Sequence, residues 1–363
     1  MTQVSSLYLH VPFCMHLCNY CDFYKRKLTD SHQQFEDFHQ FLASSDLRHA
    51  ELLKEHGMEW GKLDTIYLGG GTPSLWGTVG AEFFNNHFLK QGITNNCEFT
   101  MEIDPCTWTP EMLQAWKEIG LNRISVGTQS LNPHFLKIMD RVHSLNDSLN
   151  FLEVLQGENW NYSLDFLLGI PFSLENKRDI KAELDLLLNY SPKHISLYIL
   201  NARSKYPHIQ NLPDDEYIRE EYLFVSDYLK SKGFHHYEVS NFALPGFESR
   251  HNLKYWRGES VMALGPTGTG YLAMGENTAL RYKWKVSQPE VEIEKLGKEE
   301  LDLEATYLSL RISDGWKAPE KFKNLMKSWK DQGYCREEDG MIKLTSLGFL
   351  MLDSLMDDLF RVK

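Results

Sequence analysis

Short runs of β-branched, aromatic and aliphatic residues alternate with longer amphipathic segments through the first two-thirds of the chain. The runs Ser6–Pro12, Thr65–Leu68, Glu98–Ile103, Arg123–Gly127, Ser163–Leu168 and His194–Leu200 each end at a glycine, a proline or a polar turn and are predicted strands. Segments Gln33–His56, Ser74–Lys90, Pro110–Ile119, Pro133–Leu155, Leu174–Leu188 and Pro213–Lys232 place apolar residues three and four apart and are predicted helices. Strand alternating with helix implies parallel pairing through right-handed crossovers. Six such units make most of a (β/α) barrel, but not the eight that close one.

After Lys232 the alternation stops. Residues 233–272 are rich in aromatics, glycine and proline and must be packed, because so much aromatic surface is unfavourable in water. From about Gln288 the pattern reads helical and charged to Ile312, followed by a small helix and a strand-like tract from Gly340. The expected fold class is therefore α/β: a partial (β/α)6 barrel over 1–242 and a smaller α+β, helical or winged-helix-like, domain over 243–363. There is no repeat beyond the alternation itself and no low-complexity linker.

The 363 residues are 42% hydrophobic and 24% charged, the composition of an ordinary soluble globular protein. Fifty acidic residues against 38 basic ones leave a net charge of −12, which repels phosphate backbones and excludes nucleic acid as the main partner. The amino-terminal MTQVSSLYLHVPF lacks the basic region and cleavage pattern of a signal peptide, and no apolar run approaches the ~18 residues of a membrane span. The expected compartment is the cytoplasm, where thiols stay reduced.

That compartment gives weight to the six cysteines. Cys14, Cys18 and Cys21 fall within eight residues, on the loop after the first strand, whereas Cys97, Cys106 and Cys335 are scattered and read as ordinary thiols. Three thiolates can hold three corners of a 4Fe-4S cluster and leave the fourth iron open. A zinc site is a second reading, with His10 or His16 as the missing ligand. A redox pair at Cys18 and Cys21 is a third, although such a pair wants a helix amino terminus. Further along, Gly69, Gly70 and Gly71 end the second strand, with Thr72 and Pro73 suited to the cap and first position of a helix. The glycines alone fit a tight βα turn; placed beside an open iron, bare backbone there would also let a zwitterion approach. The loop has neither the GxGxxG spacing of a dinucleotide site nor the lysine of a phosphate loop.

The triplet with Tyr20 before its last cysteine, followed by LGGGTPSL, MEIDP, NRISVGTQS, SLDFLLGIP, HISLY, YEVSNFALPGFESRHNLKYWRG and KLTSLGFL, resembles the radical SAM superfamily along nearly the whole chain. The resemblance is to its oxygen-independent coproporphyrinogen III oxidase-like group, and most closely to the haem-chaperone branch of that group. It implies a 4Fe-4S cluster on Cys14, Cys18 and Cys21. It also implies an S-adenosylmethionine site lined by Tyr8, Tyr20, Gly69, Gly70, Gly71, Thr72, Glu102, Gln129, Arg141 and Asp165, with Arg141 suited to the carboxylate and Glu102 and Asp165 to amino or ribose contacts. His251, in the string HNLKYW with Asn252, Tyr255 and Trp256, is the implied haem ligand, and His235 and His236 are the alternatives.

The implied function is a chaperone that passes haem to acceptor proteins, membrane-bound respiratory ones included, through peripheral contact at the membrane. The alternative is an oxygen-independent coproporphyrinogen III dehydrogenase using a 5′-deoxyadenosyl radical, with flavodoxin or ferredoxin as electron donor. A zinc-stabilised, non-catalytic β/α protein is the blandest reading. Phe23 stands where the oxidase branch has a fourth cysteine, which points away from the oxidase. YILNARSKYP and GPTGTGYL also depart from the group, and Asp104 stands where the group usually has asparagine.

Overall fold

The computed structural model describes residues 1–361. The six predicted strands are β1 (Thr2–Val11), β2 (Met58–Gly70), β3 (Ile93–Ile103), β4 (Arg123–Gln129), β5 (Asn161–Leu168) and β6 (His194–Ile199). They pair in parallel in that order. Three short strands lengthen the sheet. β7 (His235–Glu238), at the edge, pairs antiparallel with β8 (Asn241–Ala243), β8 pairs antiparallel with β6, and β9 (Met262–Leu264) runs parallel on the free side of β1. The nine-stranded sheet stays open between β7 and β9, so it is a partial barrel, and it takes in residues beyond 242.

Helices α1 (Ser31–Glu55), α2 (Gly77–Phe88), α3 (Pro110–Glu118), α4 (Pro133–Ile138), α5 (Leu145–Gly157), α6 (Ile180–Leu188) and α7 (Asp215–Ser231) connect the strands. Between helices and sheet lie the large apolar side chains, among them Trp76, Phe84, Phe99 and Trp116, all fully buried and in mutual ring contact. Each such burial stabilises the fold by about 1.5–3 kcal/mol. The opposite face differs. Residues two apart on a strand share a face, and those in line with Glu102 and Asp165 include the small Thr100, Ser125, Ser163 and Ser196 and the larger Tyr67, Glu98 and Arg123. The hollow of the barrel therefore carries polar and ionisable groups that the helix-facing side of the sheet lacks.

Differences from the sequence pattern have local causes. The single helix expected over 133–155 is two, because Ser144 and Asp147 form a reciprocal capping box that starts α5 afresh. The intervening residues include Asp140 at φ 55°. The helix expected from Leu174 starts at Ile180, capped by Asp179. The stretch read as helical from Gln288 begins as a strand. β10 (Thr269–Ala273), β11 (Ala279–Trp284) and β12 (Val291–Leu296) make an antiparallel sheet, in which β12 pairs with β11 along its whole length although only Leu296 of it is buried.

A short helix, α8 (Arg250–Trp256), precedes β9. The carboxy-terminal part contains α9 (Lys298–Ser309), α10 (Lys323–Asp331), the hairpin β13 (Cys335–Glu338) and β14 (Met341–Leu344), α11 (Ser346–Leu350) and α12 (Leu352–Arg361). It has its own core around Leu310, Trp316, Trp329 and Phe349. Among the described residues no helix is long and apolar enough to cross a membrane.

Candidate functional site

The carboxyl ends of β1 to β6 surround a cavity of about 440 Å³, lined by Cys14, Cys18, Cys21, Gly70, Gly71, Thr72, Glu102, Gln129, Arg141 and Asp165 among others. Its most distinctive wall is the cysteine loop. β1 runs on into Phe13 and Cys14, which pair in parallel with Arg26 and Lys27, so the loop closes on its own start. Arg26 N–H donates to the Pro12 carbonyl at 2.6 Å and Leu28 N–H to that of Cys14 at 2.9 Å. Inside the loop, Lys25 Nζ donates to the Cys18 and Cys21 carbonyls at 3.1 and 2.5 Å. Tyr20 packs against the apolar group of Leu136, Met139 and Leu200. Held this way, the three thiols are presented by backbone and neighbours rather than by one another.

Burial raises the Cys14 and Cys18 thiols above their ordinary range, so a metal must displace their protons to bind. His10 accepts from Tyr8 Oη at Nδ1 (3.1 Å) and meets the Tyr24 carbonyl at Nε2 (2.9 Å), leaving neither nitrogen for a metal. His16 Nε2 is bound to Asp140 at 2.7 Å. Of the two histidines that the zinc reading needs, His10 is thus engaged at both ring nitrogens and His16 at one. Three thiols without a fourth protein ligand fit a cluster with one open iron.

The glycine loop abuts the cysteine loop. Gly71 N–H donates to the Val11 carbonyl at 2.8 Å and Thr72 N–H to that of Phe13 at 2.6 Å. A Cβ on Gly71 would lie 2.6 Å from Phe13 O and 2.9 Å from Val11 O, and one on Gly70 would meet the His10 ring. Thr72 occupies the cap of the turn Pro73–Trp76, but makes no capping hydrogen bond; its hydroxyl turns to Cys14 Sγ at 3.7 Å. Backbone atoms cannot move aside as a side chain can. Gly71→Ala is therefore expected to lower stability by about 1–3 kcal/mol and to reduce iron loading, as read by thermal melting and iron analysis. Gly157→Ala, where nothing lies within 4 Å of the new Cβ, is the control; equal melting of the two variants would contradict the close fit.

Two carboxylates form the cavity floor. Glu102 accepts from Tyr67 Oη at 2.9 Å and from Gly70 N–H at 3.0 Å. Burial, reinforced by the charge of Asp165, pushes its carboxyl up to about 7. Asp165 accepts from Ser125 Oγ at 3.1 Å and is itself pushed up, by burial, to about 6. Gln129 reaches the cavity from a bulge in β4, in the left-handed region at φ 61°. Such strain is tolerated where the surroundings over-determine it, commonly at functional sites. Arg141 arrives from the break between α4 and α5. Its guanidinium donates to Tyr20 Oη at 3.3 Å, to the Gly127 carbonyl at 3.1 Å and to Asp104. A zwitterion bearing a sulfonium matches this donor set of two carboxylates, one guanidinium and bare peptide groups.

Two expected residues lie elsewhere. Tyr8 is below the cavity, bonded to His10 and stacked against Tyr67, so it supports the floor rather than lining it. Gly69 also stands off the cavity, where a Cβ would lie 3.0 Å from Glu102 Oε1.

His251, expected as a haem ligand, sits at the opposite end of the barrel hollow and is only 1% exposed. Its Nδ1 meets Thr65 Oγ1 at 3.0 Å, and its ring stacks on Tyr67 with centroids 5.4 Å apart. Glu98 accepts the N–H groups of Arg250 and His251 at the start of α8, at 3.0 and 2.9 Å. In this conformation no porphyrin reaches His251 Nε2, which has no hydrogen-bond partner. His236 is half-buried, stacked on Phe242 and bonded to Ser346, whereas His235 is exposed. The sequence reading missed Lys25 and His143. Nothing in its position marks Lys25; His143 lies two residues from Arg141, a spacing that could have suggested a shared site.

Comparison with known proteins agrees with this geometry. Residues 8–187 match the model of the radical SAM superfamily. The chain is 32% identical to the haem chaperone HemW of Lactococcus lactis over 90% of its own length and 86% of the relative's. It is 31% identical to HemW of Bacillus subtilis over 74% and 71% of the two chains. Among solved structures, the radical SAM coproporphyrinogen III oxidase HemN of Escherichia coli superposes with a TM-score of 0.74 at 15% identity, covering 98% of this chain and 90% of its own. That likeness shows the fold. A radical SAM domain implies a 4Fe-4S cluster and S-adenosylmethionine, and the thiol loop, glycine cradle and paired carboxylates fit both. The chain belongs to the HemW family of the radical SAM superfamily.

Proposed function

We propose that this protein is a haem chaperone: it carries a 4Fe-4S cluster on Cys14, Cys18 and Cys21, binds S-adenosylmethionine beside it, and holds haem for delivery to acceptor proteins. The observation that carries the first half is the cavity itself, where a three-thiol loop, a backbone cradle closed to any Cβ and two buried carboxylates face one another. When bound and reduced, the cluster supplies single electrons, which a flavodoxin or ferredoxin would replenish. Glu102 and Asp165 receive the positive end of the ligand, Gly70 and Gly71 admit it, and Tyr20 and Arg141 close the side nearest Cys18. Phe23, 70% exposed at the cavity rim, cannot serve as a ligand where the oxidase branch has a fourth cysteine.

The haem half rests on the HemW relatives and on the HNLKYW segment. In the enclosed conformation burial pushes the His251 imidazole down to about 3; a haem ligand must likewise be neutral, but outside that setting. Its use requires α8 to leave the barrel hollow. The free thiols fit a reducing compartment, the cytoplasm, with brief contact where an acceptor lies in the membrane.

Anaerobic haem titration of the wild type, His251→Ala and His235→Ala tests this reading. The wild type and His235→Ala are expected to bind haem with one spectrum, while His251→Ala binds at least about tenfold more weakly with an altered Soret band. An unchanged His251→Ala spectrum would remove the assigned ligand. No haem binding by the wild type, with turnover of coproporphyrinogen III instead, would favour the dehydrogenase.

A further inference from the structure

Arg141 presents its charge to the cavity, yet that charge is already answered. Asp104, in the position where the group usually has asparagine, takes a hydrogen bond from Arg141 Nη2, and the two side chains are only 11% and 12% exposed. Asp104 cannot swing away. His143, completely buried, holds Nδ1 3.4 Å from the Asp104 carboxylate and Nε2 3.3 Å from the Thr128 carbonyl. The Cys106 backbone N–H donates to Asp104 Oδ1 at 3.2 Å, and its thiol lies at the same distance. Burial pushes the Asp104 carboxyl upward, but the His143 hydrogen bond and the Arg141 charge outweigh it and keep the group ionised.

The cavity wall therefore carries four carboxylates, Asp22, Glu102, Asp104 and Asp165, against two cations, Lys25 and Arg141; Asp22, at the rim, is paired with Arg203 at 2.6 Å. Of those cations, Arg141 is neutralised in a buried pair, and Lys25 turns its ammonium to the Cys18 and Cys21 carbonyls. A ligand carboxylate meets little net positive charge, while a sulfonium and an ammonium meet two carboxylates that have no cationic hydrogen-bond partner among the described residues.

We propose that Asp104 is a specificity-setting residue: by holding Arg141 in a buried ion pair it weakens the grip of the cavity on the carboxylate end of S-adenosylmethionine and leaves affinity to the cationic end. The proposal rests on the cavity reading above. Asp104→Asn keeps the size of the side chain and an acceptor oxygen for Arg141 while removing the opposing charge. Removing a charge a few ångströms from a ligand carboxylate changes affinity by about tenfold or more at protein-like dielectric constants.

The test uses reconstituted holoprotein with the cluster oxidised, iron content measured first, and equilibrium binding of S-adenosylmethionine and of decarboxylated S-adenosylmethionine. Asp104→Asn is expected to bind the complete cofactor about tenfold more tightly than wild type and the decarboxylated one with little change. Asp104→Ala, which also loses the oxygen that aims Arg141, is expected to discriminate less between the two than Asp104→Asn. Unchanged or weaker binding of S-adenosylmethionine by Asp104→Asn at full iron content overturns the proposal, as does an equal gain for both ligands. Wild-type protein of full iron content that binds neither ligand overturns the cavity reading, and this proposal with it.

Discussion

Replacement of Cys14, Cys18 and Cys21 together by alanine is expected to give a folded protein that takes up no iron–sulfur cluster. The three thiols make few contacts that the fold depends on. Cys18 Sγ lies 3.5 Å from the Asp140 carbonyl and Cys14 Sγ 3.7 Å from the Thr72 hydroxyl, both weak interactions. The loop is held instead by Arg26 N–H on Pro12, Leu28 N–H on Cys14 and the Lys25 ammonium on two carbonyls, all of which survive the substitution. Removing all three donors takes every thiol from the loop, while His10 is engaged at both ring nitrogens with Tyr8 and Tyr24 and His16 at Nε2 with Asp140. Anaerobic reconstitution followed by iron and sulfide analysis is expected to show a near-complete loss of both. Circular dichroism should be unchanged. Retention of iron at wild-type stoichiometry would mean that other side chains hold it.

Glu102→Gln has the second largest expected effect, and pH reveals it. In the unliganded protein the Glu102 carboxyl keeps its proton to about pH 7, because burial and the neighbouring Asp165 disfavour the charge. A carboxyl raised in this way contributes stability that is complete below the ordinary carboxylate range and is lost as pH rises through about 7. A cationic ligand reverses the preference: binding expels the proton. Affinity for S-adenosylmethionine should therefore rise roughly tenfold between pH 6 and pH 8, one proton being released per ligand bound over the lower part of that range. Glu102→Gln removes both the charge and the slope. Its affinity at pH 8 should fall at least about tenfold, the size of a lost charge-assisted hydrogen bond. Without ligand, it should melt above wild type at pH 8 and level with it at pH 5. A pH-independent wild-type affinity would contradict the role given to Glu102.

Much of this site is legible in the sequence because its parts are local. The cysteine triplet, the three glycines and the strands that carry Glu102 and Asp165 each lie within a few residues of a strand end, and hydrophobic period places strand ends well. What the sequence does not reveal depends on distant partners. His251 looks like a presented ligand in HNLKYW, but its burial is decided by Thr65, 186 residues away, and by Glu98, 153 residues from the His251 backbone that it caps. β12 reads as helix because a largely exposed, charged strand has no buried face to betray it; it is made by backbone pairing with β11. The break that delivers Arg141 and His143 is set by a capping box of two residues inside an otherwise helical pattern. Asp104 in place of asparagine looks neutral until the structure shows that its added charge rests against Arg141.

The central claim is that three thiolates hold a cluster whose open iron faces an S-adenosylmethionine site. Electron paramagnetic resonance of the anaerobically reconstituted, reduced protein, recorded with and without S-adenosylmethionine, tests it most directly. A 4Fe-4S signal whose g values and line shape change on addition of the cofactor is the expected result. A signal that the cofactor leaves untouched, or zinc in place of iron in the reconstituted protein, would contradict it.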